Sequence, residues 1–268
     1  EVEGAVWPFD DDGTLRPDRA RDGGLRWTTA EGISQIGRAL VDATPGLDLR
    51  LQTRVVALEA ESDGWTVVLE SREAGAASGE RHAFDAVLVT APAPQAFELL
   101  SGLEAASSIE RVTYRSQFSV MWAFDRVLDR PADVYALVNA AEHGSADGGH
   151  DVAWLAVESD KPGRAPDGAT LLLAQMSERW TLDHYDDKKP DVVLEAGRAV
   201  ESLWGPLPEP LWTDTQRWRY SLPNDGVEVG GLEGDGLFVA GDWTAGKGRV
   251  HLALEQGLAA AERIRASI

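Results

Sequence analysis

Apolar residues recur at two spacings along the chain, and these spacings predict its helices and strands. The first apolar stripe has helical spacing and follows Thr28 and Thr29, either of which is a suitable N-cap. It predicts a helix that ends before Pro45. The members of the stripe are Ile33, Ile36, Leu40 and Val41.

Three β-type runs follow this helix. They cover residues 49–59, 65–70 and 84–90 and are separated by turn-forming and polar residues. We expect them to form an antiparallel meander. In the third run the residues from Ala86 to Val89 are apolar without alternation, which predicts a strand that is covered on both faces and ends before the prolines at positions 92 and 94.

The middle of the chain has a different composition. Short apolar runs at residues 118–124, 152–157 and 170–176 are separated by long polar loops, and a helical pattern covers residues 190–203. This mixture of short strands and a helix predicts an α+β domain, distinct from the elements on either side of it. We expect that domain to be inserted into another one.

The C-terminal segment combines a short apolar run with a glycine-rich turn. Residues 238–240 lead into a turn with Gly241, Gly246 and Gly248, and a helical pattern begins at Val250. Glycines let a backbone approach a ligand closely, and a helix start presents free N–H groups and the positive end of its dipole. We therefore expect an anionic or electron-rich ligand here. The helix has a stripe that we expect to pack on a sheet: Val250, Ala253, Leu254, Gly257, Leu258, Ala261 and Ile264.

Asp242 is the candidate binding group in this segment. It follows the apolar run and one glycine, which predicts a carboxylate at a strand end beside a helix start. Such a carboxylate accepts hydrogen bonds from sugar hydroxyls, each worth about 1.5 to 3 kcal/mol. From the residues alone, the same pattern also fits a turn in front of an ordinary core helix.

Composition excludes several classes of function. The 268 residues include 45 acidic and 25 basic ones, and the formal net charge of -20 repels nucleic-acid backbones and anionic lipid surfaces. No apolar run approaches the ~20 residues of a membrane span and no signal segment is present, so we expect a cytoplasmic protein. The chain has no Cys, which excludes disulfides, thiolate metal sites and a cysteinyl cofactor link. We expect no metal site and interpret His143 and His150 as solvated.

Several segments resemble the FAD-dependent amine oxidase superfamily, in that family's order. Gly241-Asp242-Trp243, followed by Gly248-Arg249-Val250, resembles the C-terminal flavin-binding motif. Residues 49–58 resemble the strand whose backbone meets adenine, and residues 84–92 resemble the strand that returns toward the dinucleotide. The segments Arg217-Trp218-Arg219-Tyr220 and Glu31-Gly32-Ile33-Ser34 are similar to the renalase-like branch.

The resemblance implies an α/β plus α+β fold. It comprises a partial FAD/NAD(P)-binding Rossmann-like domain with an antiparallel meander, and an inserted mixed-sheet substrate domain. We expect the FAD-binding domain at residues 1–94 and 226–268 and the substrate domain at residues 95–225. The family begins with a strand, a G-x-G-x-x-G turn and a helix. The chain contains no such unit and begins at Glu1, so we expect it to lack the N-terminal mononucleotide-binding unit.

The resemblance also implies roles for individual residues around FAD. Asp242 would bind the ribityl chain or the adjacent phosphate, and the amide of Val250 would face the flavin C2 carbonyl. Val55 or Val56 would meet adenine through backbone atoms. The helix that begins at Val250 would stabilise negative charge on the reduced ring. The other expected cofactor-binding residues are Ala91, Pro92, Gly241, Trp243, Gly248 and Arg249.

Aromatic residues and one histidine are the candidates for catalysis. Trp218 and Tyr220, with Trp243, are the aromatic residues expected near the flavin ring. His251 occupies a position where the family often has Glu, and we consider two roles for it, a titrating group near the flavin or a surface histidine. The catalytic residues expected are therefore Trp218, Tyr220 and His251.

The implied reaction transfers a hydride from a small substrate to FAD, with O2 as the acceptor. The renalase-like branch implies dihydronicotinamide substrates, and the wider superfamily implies amines. The alternative is a truncated, FAD-deficient scaffold or interaction module without activity of its own. A desaturase or porphyrinogen-type oxidase is disfavoured because residues 125–187 contain polar loops where an apolar substrate domain is expected. The sequence leaves the oligomeric state open.

Overall fold

The computed structural model describes residues 4–17, 27–71, 79–141, 149–228 and 232–267. The chain divides into two compact units. The first joins residues 1–47 to residues 116–219, and the second joins residues 48–115 to residues 220–268.

These bounds differ from the expected domains, because residues 1–47 were expected to belong with the C-terminal segment. The physical reason is strand pairing: β1 (Val6–Phe9) hydrogen-bonds in parallel to β7 (Ala136–Asn139), in the middle of the chain.

The first unit is built on a mixed sheet of six strands. Its other strands are β8 (Val152–Val157), β9 (Thr170–Met176), β6 (Tyr114–Phe124) and β10 (Trp212–Pro223), in the order β1-β7-β8-β9-β6-β10. The first two residues of β6 and the last four of β10 belong to the second unit. β7, β8, β9 and β6 pair antiparallel in that order. The helices are α1 (Ser34–Asp42), α3 (Glu178–Asp183) and α4 (Lys189–Trp204), and a 3-10 turn covers Glu158–Asp160.

Burial in this unit follows the sequence pattern. Alternate residues of β9 are buried, and α4 buries one face with Val192, Ala196, Val200 and Leu203. The helix predicted at residues 190–203 is thus confirmed. The helix expected after Thr28 is also present, but Ile33 occupies its N-cap position without a side-chain cap bond. Neither threonine caps it: the Thr29 hydroxyl donates to the Gly32 carbonyl, and the Thr28 hydroxyl donates to the Thr29 carbonyl.

One histidine of this unit corrects the expectation of a solvated side chain. His150 is half-buried, with its ring edge-on to Phe9 at 5.2 Å. Its Nδ1 accepts the Val152 N–H at 3.0 Å, which leaves Nε2 to donate to the Ser202 hydroxyl at 2.9 Å. Burial lowers the pKa of His150 below its ordinary 6.5. His143 lies outside the described residues.

The second unit contains the meander, with one change of strand. β2 (Thr53–Glu61), β3 (Gly64–Ser71) and β4 (Glu80–Phe84) pair antiparallel. The expected third strand, residues 84–90, contributes only its first residue, because the chain turns away at Asp85. Val87–Val89 (β5) instead pairs in parallel with Leu237–Val239 (β11).

β5 is also not covered on both faces as expected, since Leu88 is 37% exposed. The sheet of β5 and β11 is only two strands wide.

Helices surround this small sheet. α2 (Ala93–Leu100) begins directly after Pro92 and carries Pro94 in its first turn, where a missing N–H costs nothing. A 3-10 helix (Glu104–Arg111) follows, and α5 (Asp242–Ala245) and α6 (Val250–Ser267) come after β11. The core of the unit includes Trp65, Leu100, Ile109, Leu237, Val239 and Trp243.

The apolar stripe of α6 was expected to pack on a sheet, and most of it does not. Val250, Leu254 and Leu258 are 50%, 41% and 69% exposed, and Ala260 is the buried residue of the helix. Two strands are too narrow to cover a helix of 18 residues. Within the part of the chain that the structure describes, no helix is long and apolar enough to cross a bilayer.

Candidate functional site

The carboxyl ends of β5 and β11 lie side by side in the second unit. The Ala240 N–H donates to the Val89 carbonyl at 3.1 Å, so the segments that leave the two strands emerge together. Residues 90–92 continue from β5, and residues 240–242 continue from β11. The carboxyl ends of parallel strands are where open α/β sheets bind ligands.

A cavity of about 450 Å³ lies at these strand ends. It has the size of a small-molecule site, and the first turn of α6 forms part of its wall. The structure brings together here six of the expected cofactor-binding residues, although they are far apart in sequence. The lining residues are Thr90, Pro92, Ser221, Leu222, Ala240, Gly241, Asp242, Gly248, Arg249, Val250, Ala253 and Gly257.

Two glycines of the turn allow the backbone to pass close to its neighbours. A Cβ on Gly248 would lie 2.4 Å from Leu222 Cδ2, and one on Gly241 would lie 2.8 Å from Trp243 Nε1. A larger residue at either position would require a neighbouring side chain to move. The glycines therefore set the path that brings Asp242 and Val250 to one cavity.

The carboxylate of Asp242 is held by a residue that the sequence analysis missed. The Tyr114 hydroxyl donates to Asp242 Oδ1 at 2.9 Å and accepts the Ala93 N–H at 3.4 Å. The Tyr114 ring contacts Tyr220 edge-on at 5.5 Å. Burial, with the nearby Asp242 carboxylate, raises the pKa of Tyr114 above its ordinary 10.0. No short motif identifies Tyr114, because it lies 128 positions from Asp242.

Trp243 was expected to face the cofactor, and the structure buries it instead. Its side chain is 0% exposed, and its Nε1–H donates to the Ala91 carbonyl at 3.1 Å. The bond ties the segment after β5 to the segment after β11. Trp243 thus fixes the two strand ends from within the core and does not line the cavity.

A second cavity, of about 680 Å³, runs along β5 and is lined by three further expected cofactor-binding residues, Val55, Val56 and Ala91. Val56 has no partner in the β2–β3 register, because the ladder shifts between Val55 and Ala57. Such a bulge leaves backbone groups available. The lining residues are Arg54, Val55, Val56, Leu58, Val67, Phe84, Ala86, Val87, Leu88, Val89, Thr90, Ala91, Gln95, Glu98 and Leu99.

The three candidate catalytic residues have different surroundings. Trp218 belongs to the first unit, is 48% exposed and donates its Nε1–H to Ser119 Oγ at 3.1 Å. Tyr220 belongs to the second unit and packs on Tyr114. His251 is exposed in the first turn of α6 and lines neither cavity. Their catalytic roles remain predictions.

A family model for flavin-containing amine oxidoreductases matches residues 13–265 of the chain. The chain belongs to this family. No match was found among curated protein sequences.

Solved structures agree with this membership in fold. A candidate protoporphyrinogen oxidase from an Exiguobacterium species has 18% sequence identity and a TM-score of 0.67, over 90% of this chain and 51% of that chain. Wild-type putrescine oxidase bound to putrescine has 16% identity and a TM-score of 0.67, over 88% and 53%. A double mutant of putrescine oxidase has 16% identity and a TM-score of 0.68, over 88% of this chain and 53% of that chain. The chain spans about half the length of these proteins.

The cofactor of this amine oxidoreductase family is FAD, and the residues at the first cavity fit its flavin part. Asp242 would supply an acceptor for hydrogen bonds from ribityl hydroxyls, and the start of α6 would supply N–H groups at the positive end of the helix. Small residues, Gly248, Ala253 and Gly257, leave room for a flat ring along the helix. Arg249 is the only cationic residue among the described residues that line this cavity.

Proposed function

We propose that this amine oxidoreductase chain supplies the flavin-facing part of an FAD-dependent oxidase. The reaction takes a hydride from a small substrate, and O2 is the acceptor. The observation that carries the proposal is the meeting of Asp242 and the N-terminus of α6 at one cavity, at the carboxyl ends of two parallel strands. Family membership supplies the cofactor, and this geometry supplies a site with the right chemistry.

When bound, FAD supplies two-electron oxidation, with O2 converted to peroxide. The residues of the chain bind it, orient it and stabilise charge. Asp242 would accept hydrogen bonds from the ribityl hydroxyls, and the amide of Val250 would face the C2 carbonyl side of the ring. The helix dipole of α6 places partial positive charge where negative charge develops in the reduced cofactor. This electrostatic contribution needs no titrating side chain.

The adenosine part of FAD is proposed to lie in the second cavity. Val56 is 42% exposed at the β2 bulge, and its unpaired backbone suits recognition of a base edge without a specific side chain. On the wall of this cavity a terminal guanidinium nitrogen of Arg54 lies 3.8 Å from Glu98 Oε2, so the two side chains form an ion pair with no net charge.

We further propose that β5 and β11 belong to a larger parallel, Rossmann-like sheet. The backbone groups of Val87 and Val89 hydrogen-bond on the β11 side of β5. Because backbone groups alternate in direction along a strand, the N–H and C=O of Leu88 point to the opposite edge, where no described strand pairs with them. The outer edge of β11 is closed by the Glu233 and Arg263 side chains. Proteins close sheet edges that are not used for pairing. The open edge is therefore consistent with a sheet that continues past Leu88.

The substrate is proposed to be a dihydronicotinamide or an amine. A dihydronicotinamide already carries a transferable hydride and needs no general base, whereas an amine needs a deprotonated nitrogen and an aromatic surround. Trp218 and Tyr220 are the proposed aromatic contacts. Assays with NADH isomers and with putrescine, each followed by peroxide release, separate the two classes. A rate above background with one class alone identifies the substrate type.

FAD titration tests the proposal directly. Binding should quench flavin fluorescence with saturation, and Asp242→Asn should weaken it about tenfold by removing one charge-assisted hydrogen bond. Asp63→Asn is the matched control, because Asp63 is exposed, belongs to the same unit and lines neither cavity. Equal affinity in Asp242→Asn and the wild type would remove Asp242 from the site.

The alternative function is a scaffold or interaction module without flavin. The exposed apolar residues Leu88, Leu254 and Leu258 favour it, since such surfaces mark contact sites. If the purified chain stays colourless and flavin fluorescence is unchanged in excess FAD, the oxidase proposal fails for this chain. Association that Leu88→Lys and Leu258→Lys abolish would then support the module.

A further inference from the structure

The hydrogen bond between Tyr114 and Asp242 joins a residue outside the cavity to one on its wall. Asp242 lines the cavity at the strand ends, and Tyr114 does not. Both belong to the second unit. Among the described residues, Tyr114 is the one whose side chain hydrogen-bonds to the Asp242 carboxylate, through Oδ1. The other carboxylate oxygen, Oδ2, accepts no hydrogen bond from a side chain among the described residues.

The direction of the bond is fixed by its second partner. The Ala93 N–H donates to the Tyr114 oxygen, so that oxygen is already an acceptor and its proton is directed to Asp242. Burial keeps the pKa of Tyr114 above its ordinary 10.0, so the hydroxyl remains a donor at neutral pH. Carboxylate oxygens accept hydrogen bonds, so the bond from Tyr114 matches the acceptor role of Asp242.

The Tyr114 ring is itself held in place. It begins β6, is half-buried against the core of the unit and contacts Tyr220 edge-on at 5.5 Å with an interplanar angle of 67°. Ala93 begins α2 directly after Pro92, and Pro92 lines the same cavity. The hydroxyl thus links the segment after β5 to the start of α5, and Tyr114 does not line the cavity.

We propose that Tyr114 is a positioning residue for the flavin site: its hydroxyl holds one Asp242 oxygen so that the other is presented to the ribityl hydroxyls of FAD. The proposal rests on the proposed function, because it concerns the same cavity. Without this bond the Asp242 side chain samples more rotamers. Fixing it in one rotamer then has an entropy cost that reduces the binding free energy of FAD. Tyr114 acts on the ligand only through Asp242.

A double-mutant cycle on FAD affinity tests this. The variants are Tyr114→Phe, Asp242→Ala and the double variant, with the dissociation constant taken from quenching of flavin fluorescence. We expect Tyr114→Phe to raise the dissociation constant about five- to tenfold in the wild-type background. In the Asp242→Ala background the same change should alter the dissociation constant less than about twofold, because the carboxylate that Tyr114 holds is absent.

Tyr135→Phe provides a matched control. The Tyr135 hydroxyl donates to a carboxylate oxygen of Glu158 at 3.2 Å, and both residues belong to the first unit. The variant removes the same kind of tyrosine–carboxylate bond away from the cavity. We expect a loss of thermal stability similar to that of Tyr114→Phe, with unchanged FAD affinity. Circular dichroism of each variant checks that the fold is retained.

Each result decides the proposal. An unchanged dissociation constant for Tyr114→Phe overturns it while the proposed function stands. An equal loss in both backgrounds also overturns it, because Tyr114 would then act through general stability. Absence of FAD binding by the wild-type chain overturns the proposed function together with it. Loss of affinity in the wild-type background alone supports the positioning role.

Discussion

Arg263 and Glu233 form a bidentate ion pair that closes the outer edge of β11. Arg263 Nε and a terminal nitrogen each lie 2.8 Å from a Glu233 oxygen. The pair also satisfies both backbone groups of Val239: its N–H donates to Glu233 at 3.1 Å, and its carbonyl accepts from Arg263 at 3.2 Å. The side chains thus replace a neighbouring strand. They fix α6 to the sheet beside the candidate site.

Arg263→Lys should therefore destabilise the chain by about 2 kcal/mol, because Lys cannot form the planar fork and leaves bonds to Glu233 and Val239 unmade. Urea unfolding followed by circular dichroism measures the change. Arg198→Lys is the control, because Arg198 pairs with Glu195 in an exposed i,i+3 bridge of little energetic value. A loss of stability no larger than that of the control would contradict the proposed edge closure.

Trp243→Phe should lower the free energy of unfolding by about 2 to 4 kcal/mol. The smaller ring leaves a void in a fully buried position, and the Ala91 carbonyl loses the donor that satisfies it. Thermal unfolding measures the change, with Trp27→Phe as the control because Trp27 is 75% exposed. If both variants have the same melting temperature as the wild type, the bond between Trp243 and Ala91 does not hold the strand ends.

Gly236→Ala should destabilise far more than Gly79→Ala, although both glycines belong to the same unit. Their φ angles are +79° and +88°, so each substitution incurs the left-handed backbone cost of about 1 to 2 kcal/mol. At Gly236 the new Cβ would also lie 2.6 Å from the Asp85 carbonyl oxygen, whereas nothing lies within 4 Å at Gly79. We expect the total at Gly236 to exceed about 3 kcal/mol in urea unfolding. Equal losses would rule out this close approach of β11 to the start of β5.

The stability of the chain should fall in mild acid because of His150. Burial lowers its pKa in the folded state, so the folded protein favours the neutral ring. Its stabilising contribution is fully present above the ordinary pKa of 6.5 and is lost as pH falls from 6.5 toward the lowered folded-state value. Urea unfolding between about pH 7.5 and 5 should give a smaller pH slope for His150→Gln than for the wild type. Identical slopes would exclude this effect.

Local sequence signals predicted the elements that carry their own pattern. The α4 stripe, the strand β9 and the helix start at Val250 all appear where their apolar spacing indicated. They could be predicted because each pattern lies within one element. The Gly241–Val250 segment also carried the family resemblance, which the family match over residues 13–265 confirms.

Pairing between distant segments could not be predicted in the same way. β5 was expected to complete the meander, but Glu80–Phe84 takes that position and β5 pairs with β11, about 150 residues later. An apolar run of three residues fits either partner equally well. The two compact units also differ in their bounds from the expected domains, since the pairing of β1 with β7 leaves no local signal.

The sequence by itself determined the family, with FAD as its cofactor, and the position of Asp242 at a strand end, because these depend on residues close together in the chain. Tertiary structure alone decided how that carboxylate is held. Tyr114 reaches Asp242 from β6, and Trp243 turns into the core to hold Ala91. Both bonds join segments that are distant in sequence, and only the folded backbone brings their atoms within hydrogen-bonding distance.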